Sequence, residues 1–214
     1  MIQGPRVRSR RMRDAELSEP RRGWHIMGMP QPITEWTVER VLALPDDGNR
    51  YEVVDGELLV SPAPSLFHQV AVAALARILD PFVSAHRLGY VLHSPADIEF
   101  DDRTLVQPDL FVAPPVERRR PRSWKEIRQL LLAVEVLSPS TARADRQVKR
   151  RRYQRHGVAE YWIVDLEARL VECWTPADER PQVLTERLDW RPLGEQPPRL
   201  SIDLIALFRD VLDD

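Results

Sequence analysis

A single cysteine, Cys173, and two lysines, Lys125 and Lys149, are all that 214 residues contain of those two types. One cysteine excludes an internal disulfide and any zinc site built on several thiolates, which points to a cytoplasmic protein. No uninterrupted apolar run approaches the ~20 residues of a membrane span, so no membrane partner is expected. An excess of one charge is missing too: the formal net charge is −2. Residues 1–29 carry seven arginines against Asp14, Glu16 and Glu19, a local +4 that leaves −6 on the rest. A nucleic-acid site must therefore be a local patch, because the global field does not attract phosphate. Lysine is a compact point charge with a tunable pKa, whereas arginine keeps its proton. The two lysines are thus the first cations to consider for chemistry.

The length suits one domain with short extensions. Residues 1–30 show no hydrophobic period, are rich in Arg and Pro, and are predicted to be a disordered arm. They lack the apolar core of a secretory signal, and Met27 and Met29 offer alternative starts. Residues 31–214 are predicted to form a single domain, with no internal repeat. Thr37 caps a short helix with Val38, Val41 and Leu42 on one face. The segment 50–60, RYEVVDGELLV, reads as a hairpin turning at Asp55-Gly56. That register places Glu52 and Glu57 diagonally on one sheet face, either as a carboxylate pair for a metal or as a solvent-facing surface. A helical stripe follows from Leu66 to Val83, capped by Ser65, with His68 in its first turn and Pro81 expected to end or kink it. Strands are expected at 90–92, 97–100 and 105–112, the last containing Pro108 and Asp109. An Arg- and Pro-rich loop spans 113–129. A terminal hairpin at 160–174 and a short amphipathic helix at 204–212 complete the chain.

The stretch 130–149, LLLAVEVLSPSTARADRQVK, holds the residues of greatest chemical interest. Its apolar run contains one charge, Glu135, and a carboxylate buried in such a strand needs a cation or several donors. Asp109 interrupts the preceding apolar strand in the same way. If those strands pair, both carboxylates emerge together and can share a hard divalent cation, Mg2+ or Mn2+. The helix predicted from about Arg143 to His156, closed by Gly157, carries Asp145, Lys149, Tyr153 and His156 along one face. Arg146, Arg150 and Arg152 belong to a dense run of arginines around Lys149, suited to a nucleic-acid backbone. A solvated arginine face with Asp145–Lys149 as an ordinary i,i+4 pair is the plainer reading.

Taken in order, RYEVVDGELLVSPAP, VQPDLFVAP, AVEVLSPST and DRQVKRRRYQRHGVAEYWIVD resemble the Uma-two family, placed in the PD-(D/E)XK nuclease superfamily. The resemblance runs from about Thr37 to the final Leu-rich helix. It implies an α/β (α+β) fold: a restriction-endonuclease-like core of mixed β-sheet flanked by helices, with the N-terminal hairpin as an elaboration. It also implies that Asp109 and Glu135 are metal ligands and that Glu57 in the DGEL turn is a third, with Glu52 its neighbour. The superfamily pattern puts a lysine two residues beyond the acidic residue. Leu137 stands there, and Lys149 from the following helix is the implied replacement. The implied activity is metal-dependent hydrolysis of DNA phosphodiester bonds, with Glu57, Asp109, Glu135 and Lys149 as the catalytic set. His68, Arg146, Arg150 and Arg152 would contact substrate, and a homodimer is expected by analogy with two-strand cutters. The competing expectation is a module that keeps the nuclease fold, binds nucleic acid and cleaves nothing. A carboxylate-pair glycosidase is disfavoured by the arginine-rich helix.

Overall fold

The computed structural model describes residues 35–213, within a unit spanning Thr34–Asp214. The segment 1–30, predicted as an arm, lies outside the described residues. The elements in order are α1 (Val38–Leu42), β1 (Arg50–Val54), β2 (Glu57–Ser61), α2 (Leu66–Ala85), β3 (Tyr90–His93), β4 (Ile98–Asp101), β5 (Thr104–Val106) and β6 (Leu110–Ala113). A 3₁₀ turn (Trp124–Glu126), β7 (Leu132–Val136), a π-helical segment (Ala144–Lys149) and α3 (Arg150–Arg155) follow. The chain closes with β8 (Tyr161–Asp165), β9 (Leu170–Trp174), β10 (Gln182–Leu184), β11 (Arg187–Trp190), β12 (Leu200–Asp203) and α4 (Leu204–Leu212).

Six strands form the central sheet in the order β10-β9-β8-β7-β6-β3, mixed because β7 and β8 run parallel. Strand alternation gives β7 two faces. Leu132, Val134 and Val136 join the main core with α2 and α4, while Ala133 faces a second core containing Tyr153, Tyr161 and Ile163. Glu135, two residues on from Ala133, is directed to that second side. A four-stranded sheet, β2-β1-β5-β4, covers it and contributes Val54, Ile98 and Val106. The active-site candidates therefore lie between a central sheet and a smaller sheet.

The hairpin forms as its sequence dictates: Asp55 and Gly56 both have positive φ (55° and 82°), the signature of a type I′ turn. Glu52 pairs with Leu59 and Val54 with Glu57. Three expectations need correction. The apolar run 105–112 is two strands in two different sheets, broken at Gln107-Pro108-Asp109. Pro108 has no N–H to give a ladder, and Ser94 Oγ caps the loose carbonyls of Gln107 (3.1 Å) and Pro108 (2.8 Å). Pro81 does not end its helix: α2 runs on to Ala85, with Leu79 and Val83 buried on either side of the proline. Burial of those flanking residues outweighs the one hydrogen bond that proline removes. The third correction is that the helix carrying Lys149 opens with a π segment in which Arg150 N–H donates to Asp145 O, five residues back.

α2 is also the one described helix long and apolar enough to cross a membrane by length and composition. Its residues Ala71, Leu75, Leu79 and Val83 are packed in the main core.

Candidate active site

Asp109 stands where the chain passes from the small sheet to the central one. β6 pairs with β7 so that Leu110 faces Val134, and one further step in that register sets Asp109 opposite Glu135. Asp109 is 3% exposed, and both its oxygens are occupied. Arg50 Nη1 donates to Oδ1 at 2.7 Å, His68 Nε2 lies 3.0 Å from Oδ2, and Val136 N–H donates to Oδ2 at 2.8 Å. Burial works against ionisation of Asp109, but His68 and Arg50 outweigh it and hold the carboxyl well below its ordinary range.

Glu135 belongs to a second, deeper group. Its Oε1 accepts from Lys149 Nζ at 3.1 Å and from the Tyr153 hydroxyl at 3.0 Å. The same ammonium lies 2.8 Å from Glu52 Oε2 and 3.4 Å from Asp145 Oδ1. The Glu52 contact is ionic, not directed as a hydrogen bond, since Oε2 has no hydrogen-bond partner. Glu52 Oε1 accepts from Gln107 N–H at 2.7 Å and so ties β1 to the broken strand. Burial would strip the proton from Lys149, but Glu135, Glu52 and Asp145 reverse this and hold the ammonium well above its ordinary range. Burial also pushes the Glu135 and Asp145 carboxyls up, opposed in each by Lys149.

The structure thus brings Asp109, Glu135, Lys149 and His68 into one region and adds Glu52, Asp145 and Arg50. Glu57 is not among them: it is exposed on β2, the outer strand of the small sheet, at the tip of the hairpin. Glu52 shares its sheet face but sits on β1, an inner strand, where Gln107 N–H and the Lys149 ammonium meet its carboxylate, and it is fully buried. The solvent-facing reading of the hairpin therefore fails at Glu52. The predicted substrate arginines are also placed differently. Arg146 binds Glu172 (2.7 Å) and Asp165 (2.9 Å), Arg152 pairs with Asp55 and Asp101, and Arg150 lies 4.5 Å over the Trp174 ring. Guanidinium forks that find carboxylates or an aromatic face within the fold pin the helix to the β8–β9 hairpin and the β1–β2 turn. Those contacts tie all three side chains into the fold, with Arg146 still 37% exposed.

Above Asp109 opens a recess of about 330 Å3 lined by Arg50, His68, Ser94, Gln107 and Asp109, together with the loops at 46–49 and 62–64. Arg50, 21% exposed, is the full cation on its wall, whereas Lys149, 2% exposed, lies beneath. Sequence reasoning missed Arg50, which reads as an ordinary first residue of a strand. Asp145 carried a signal, its i,i+4 spacing to Lys149, but that spacing also describes a surface pair.

The fold family implies a metal. Among the described residues no three acidic, histidine or cysteine side chains converge on one metal position. An ammonium and a guanidinium take the space between the carboxylates. By charge the donor set nevertheless fits a hard divalent cation: four buried carboxylates (Glu52, Asp109, Glu135, Asp145) face two full cations (Arg50, Lys149). The excess is two negative charges in a dry interior, which proton uptake or a divalent ion must relieve.

A mixed sheet flanked by helices, with paired acidic strands beside a buried lysine, defines a restriction-endonuclease-like fold. The chain belongs to the Uma2 family, described as "putative restriction endonuclease", whose model matches residues 38–204. Its fold is similar to that of a solved protein of Anabaena variabilis, described as a putative nuclease belonging to DUF820. The two share 20% identity at a TM-score of 0.66, over 83% of this chain and 99% of that one. No curated protein matches the sequence.

Proposed function

We propose that this protein is a divalent-metal-dependent endonuclease that hydrolyses phosphodiester bonds in DNA at the recess above Asp109. The observation that carries the reading is the buried excess of carboxylate charge, reaching the surface through Asp109 and its recess. Asp109, Glu135 and Glu52 are the residues that would hold Mg2+ or Mn2+. Bound there, the ion would polarise a phosphoryl oxygen and acidify an attacking water. Arg50, released from Asp109, is placed to meet the scissile phosphate, since a guanidinium matches two phosphate oxygens. Lys149 is buried, so it works through the carboxylates: its ammonium opposes the burial that pushes the Glu135 carboxyl up, and it fixes the positions of Glu135 and Glu52. Tyr153 adds a donor to Glu135 and restricts its rotamer.

One observation favours a second reading. Lys149 and Arg50 already neutralise the carboxylates in part, as in a module that keeps the fold and binds DNA without cutting. A plasmid-nicking assay in Mg2+ or Mn2+ separates the two. The nuclease reading requires nicking by the full chain and its loss in both Asp109→Ala and Glu135→Ala with DNA binding retained. A chain that binds DNA but nicks in neither metal is the binding module.

A further inference from the structure

A second recess, about 250 Å3, lies between the edge strand β3 and the loop after β6, lined by Tyr90, Leu92, Arg120, Arg122 and Trp124. We propose that it binds one unstacked base of a DNA strand that passes through the Asp109 recess, an inference that rests on the nuclease reading. Continuity comes from β3 and the residue directly after it: Ser94 lines the Asp109 recess, and Leu92 and Tyr90 on the strand line the second one. Strand residues rise about 3.3 Å each, so the two recesses are separated by only a few residues of one edge strand.

The lining has the chemistry of a nucleotide. Trp124, 40% exposed, meets Phe111 edge-on with centroids 6.4 Å apart, leaving part of the indole open. The Arg120 guanidinium lies 5.6 Å over the Tyr90 ring. Aromatic faces stack any base, and arginine adds both stacking and phosphate pairing. Arg120 and Arg122 are exposed, as are Arg118 and Lys125 beside them, and among the described residues none has a carboxylate within 4.0 Å. Arg146 and Arg152 on the helix differ in this, each being paired with two carboxylates, whereas Arg143 and Arg151 there share the loop's open character. The loop is also braced: Glu126 accepts from Arg119 Nη1 at 2.8 Å and from Arg122 N–H at 3.2 Å. The recess is therefore formed before any ligand arrives, which lowers the ordering cost of binding.

The test uses the full chain in EDTA and fluorescence anisotropy with a labelled single-stranded oligonucleotide, a blunt duplex, and a series of oligonucleotides carrying one abasic position. The single strand should bind more tightly than the duplex. Trp124→Ala and Arg120→Ala should each weaken single-strand binding roughly ten-fold and leave duplex binding unchanged, and Trp124→Phe should restore most of the loss. One abasic position should reproduce the loss in the wild type and add nothing in Trp124→Ala. Melting temperatures of the variants identify any that unfold, and Arg120→Ala, altered at an exposed side chain, carries the test if Trp124→Ala does. Wild-type affinity in Trp124→Ala and Arg120→Ala, equal losses on both substrates, or no single-strand binding overturns the pocket. A wild type that nicks plasmid while Trp124→Ala binds normally sinks the pocket alone. Trp124-dependent binding in a chain that never nicks sinks the nuclease alone.

Discussion

Replacing Lys149 with methionine removes the one ammonium shared by Glu52, Glu135 and Asp145, at 2.8, 3.1 and 3.4 Å, and keeps most of the side chain's volume. Leaving a buried carboxylate without its partner costs about 3–5 kcal/mol. For a domain of this size each kcal/mol lowers Tm by about 2–4 °C, so the metal-free variant should melt on the order of 10 °C below the wild type at pH 8. Acid should narrow that gap. Glu135 in the folded chain holds its proton more tightly than in the unfolded one, so the penalty for its charge is absent below its unfolded pKa and grows as pH rises. At pH 5 much of the orphaned charge is neutralised by protonation, and the variant should recover part of its loss.

The sharper consequence concerns metal. In the wild type a divalent ion must bind beside an ammonium that already occupies the carboxylates. Without that ammonium the excess negative charge grows by one, and Mn2+ should bind about ten-fold more tightly at pH 8, or about 1.4 kcal/mol, while nicking falls at least 100-fold. Isothermal titration with Mn2+ alone reads the first effect and plasmid nicking the second. Tighter binding with less cleavage is the opposite of what a merely structural lysine gives, since a loosened site loses both together. Unchanged or weaker Mn2+ binding in a folded Lys149→Met protein would refute the claim that lysine and metal share these carboxylates.

Glu52→Gln should reduce nicking at least ten-fold and lower Tm, whereas Glu57→Gln, altered on the exposed edge strand, should leave both unchanged. Paired assays on the two variants decide which glutamate of the hairpin matters. Arg146→Ala, which breaks the pairs to Glu172 and Asp165, should cost about 1–3 kcal/mol in urea unfolding and should not change the salt dependence of DNA binding. A DNA-contacting arginine would reduce that salt slope by about one. Glu160 offers a pH test away from the site. Burial raises its carboxyl from 4.5 to about 7, eased by the Trp162 indole N–H. Its penalty is absent below about pH 4.5 and complete above about pH 7, on the order of 3 kcal/mol. Glu160→Gln should remove that decline from the stability–pH curve.

What could be read ahead of the structure was whatever lay in short range along the chain. The Asp55-Gly56 turn, the Ser65 and Thr37 caps and the final amphipathic helix each depend on a few neighbouring residues, and each forms where the pattern puts it. The failures are failures of local reasoning before tertiary context. A strand pattern continuous through Pro108 cannot reveal that its halves join different sheets, because both halves are fully buried and look alike. Pro81 similarly marks a helix end only when nothing beyond it is packed.

The site follows the same division. Asp109 and Glu135 stood out because a charge in an apolar strand is anomalous by itself. Glu52 and Glu57 share a face and a hairpin, so what distinguishes them is that β1 is an inner strand and β2 an outer one, and the strand that makes β1 inner, β5, comes some fifty residues later, with Val53 paired to Leu105. The pairing of the arginine run is hidden from the sequence for a related reason. Its charges look unspent in sequence because their partners, Asp165, Glu172, Asp55 and Asp101, lie on other elements. A count of arginines therefore says little about where an acidic polymer would bind. A count of arginines left without a carboxylate says more: among the described residues it admits the loop that carries Arg120 and Trp124 as a DNA contact beside the helix after β7, where Arg143 and Arg151 are exposed and likewise have no carboxylate within 4.0 Å.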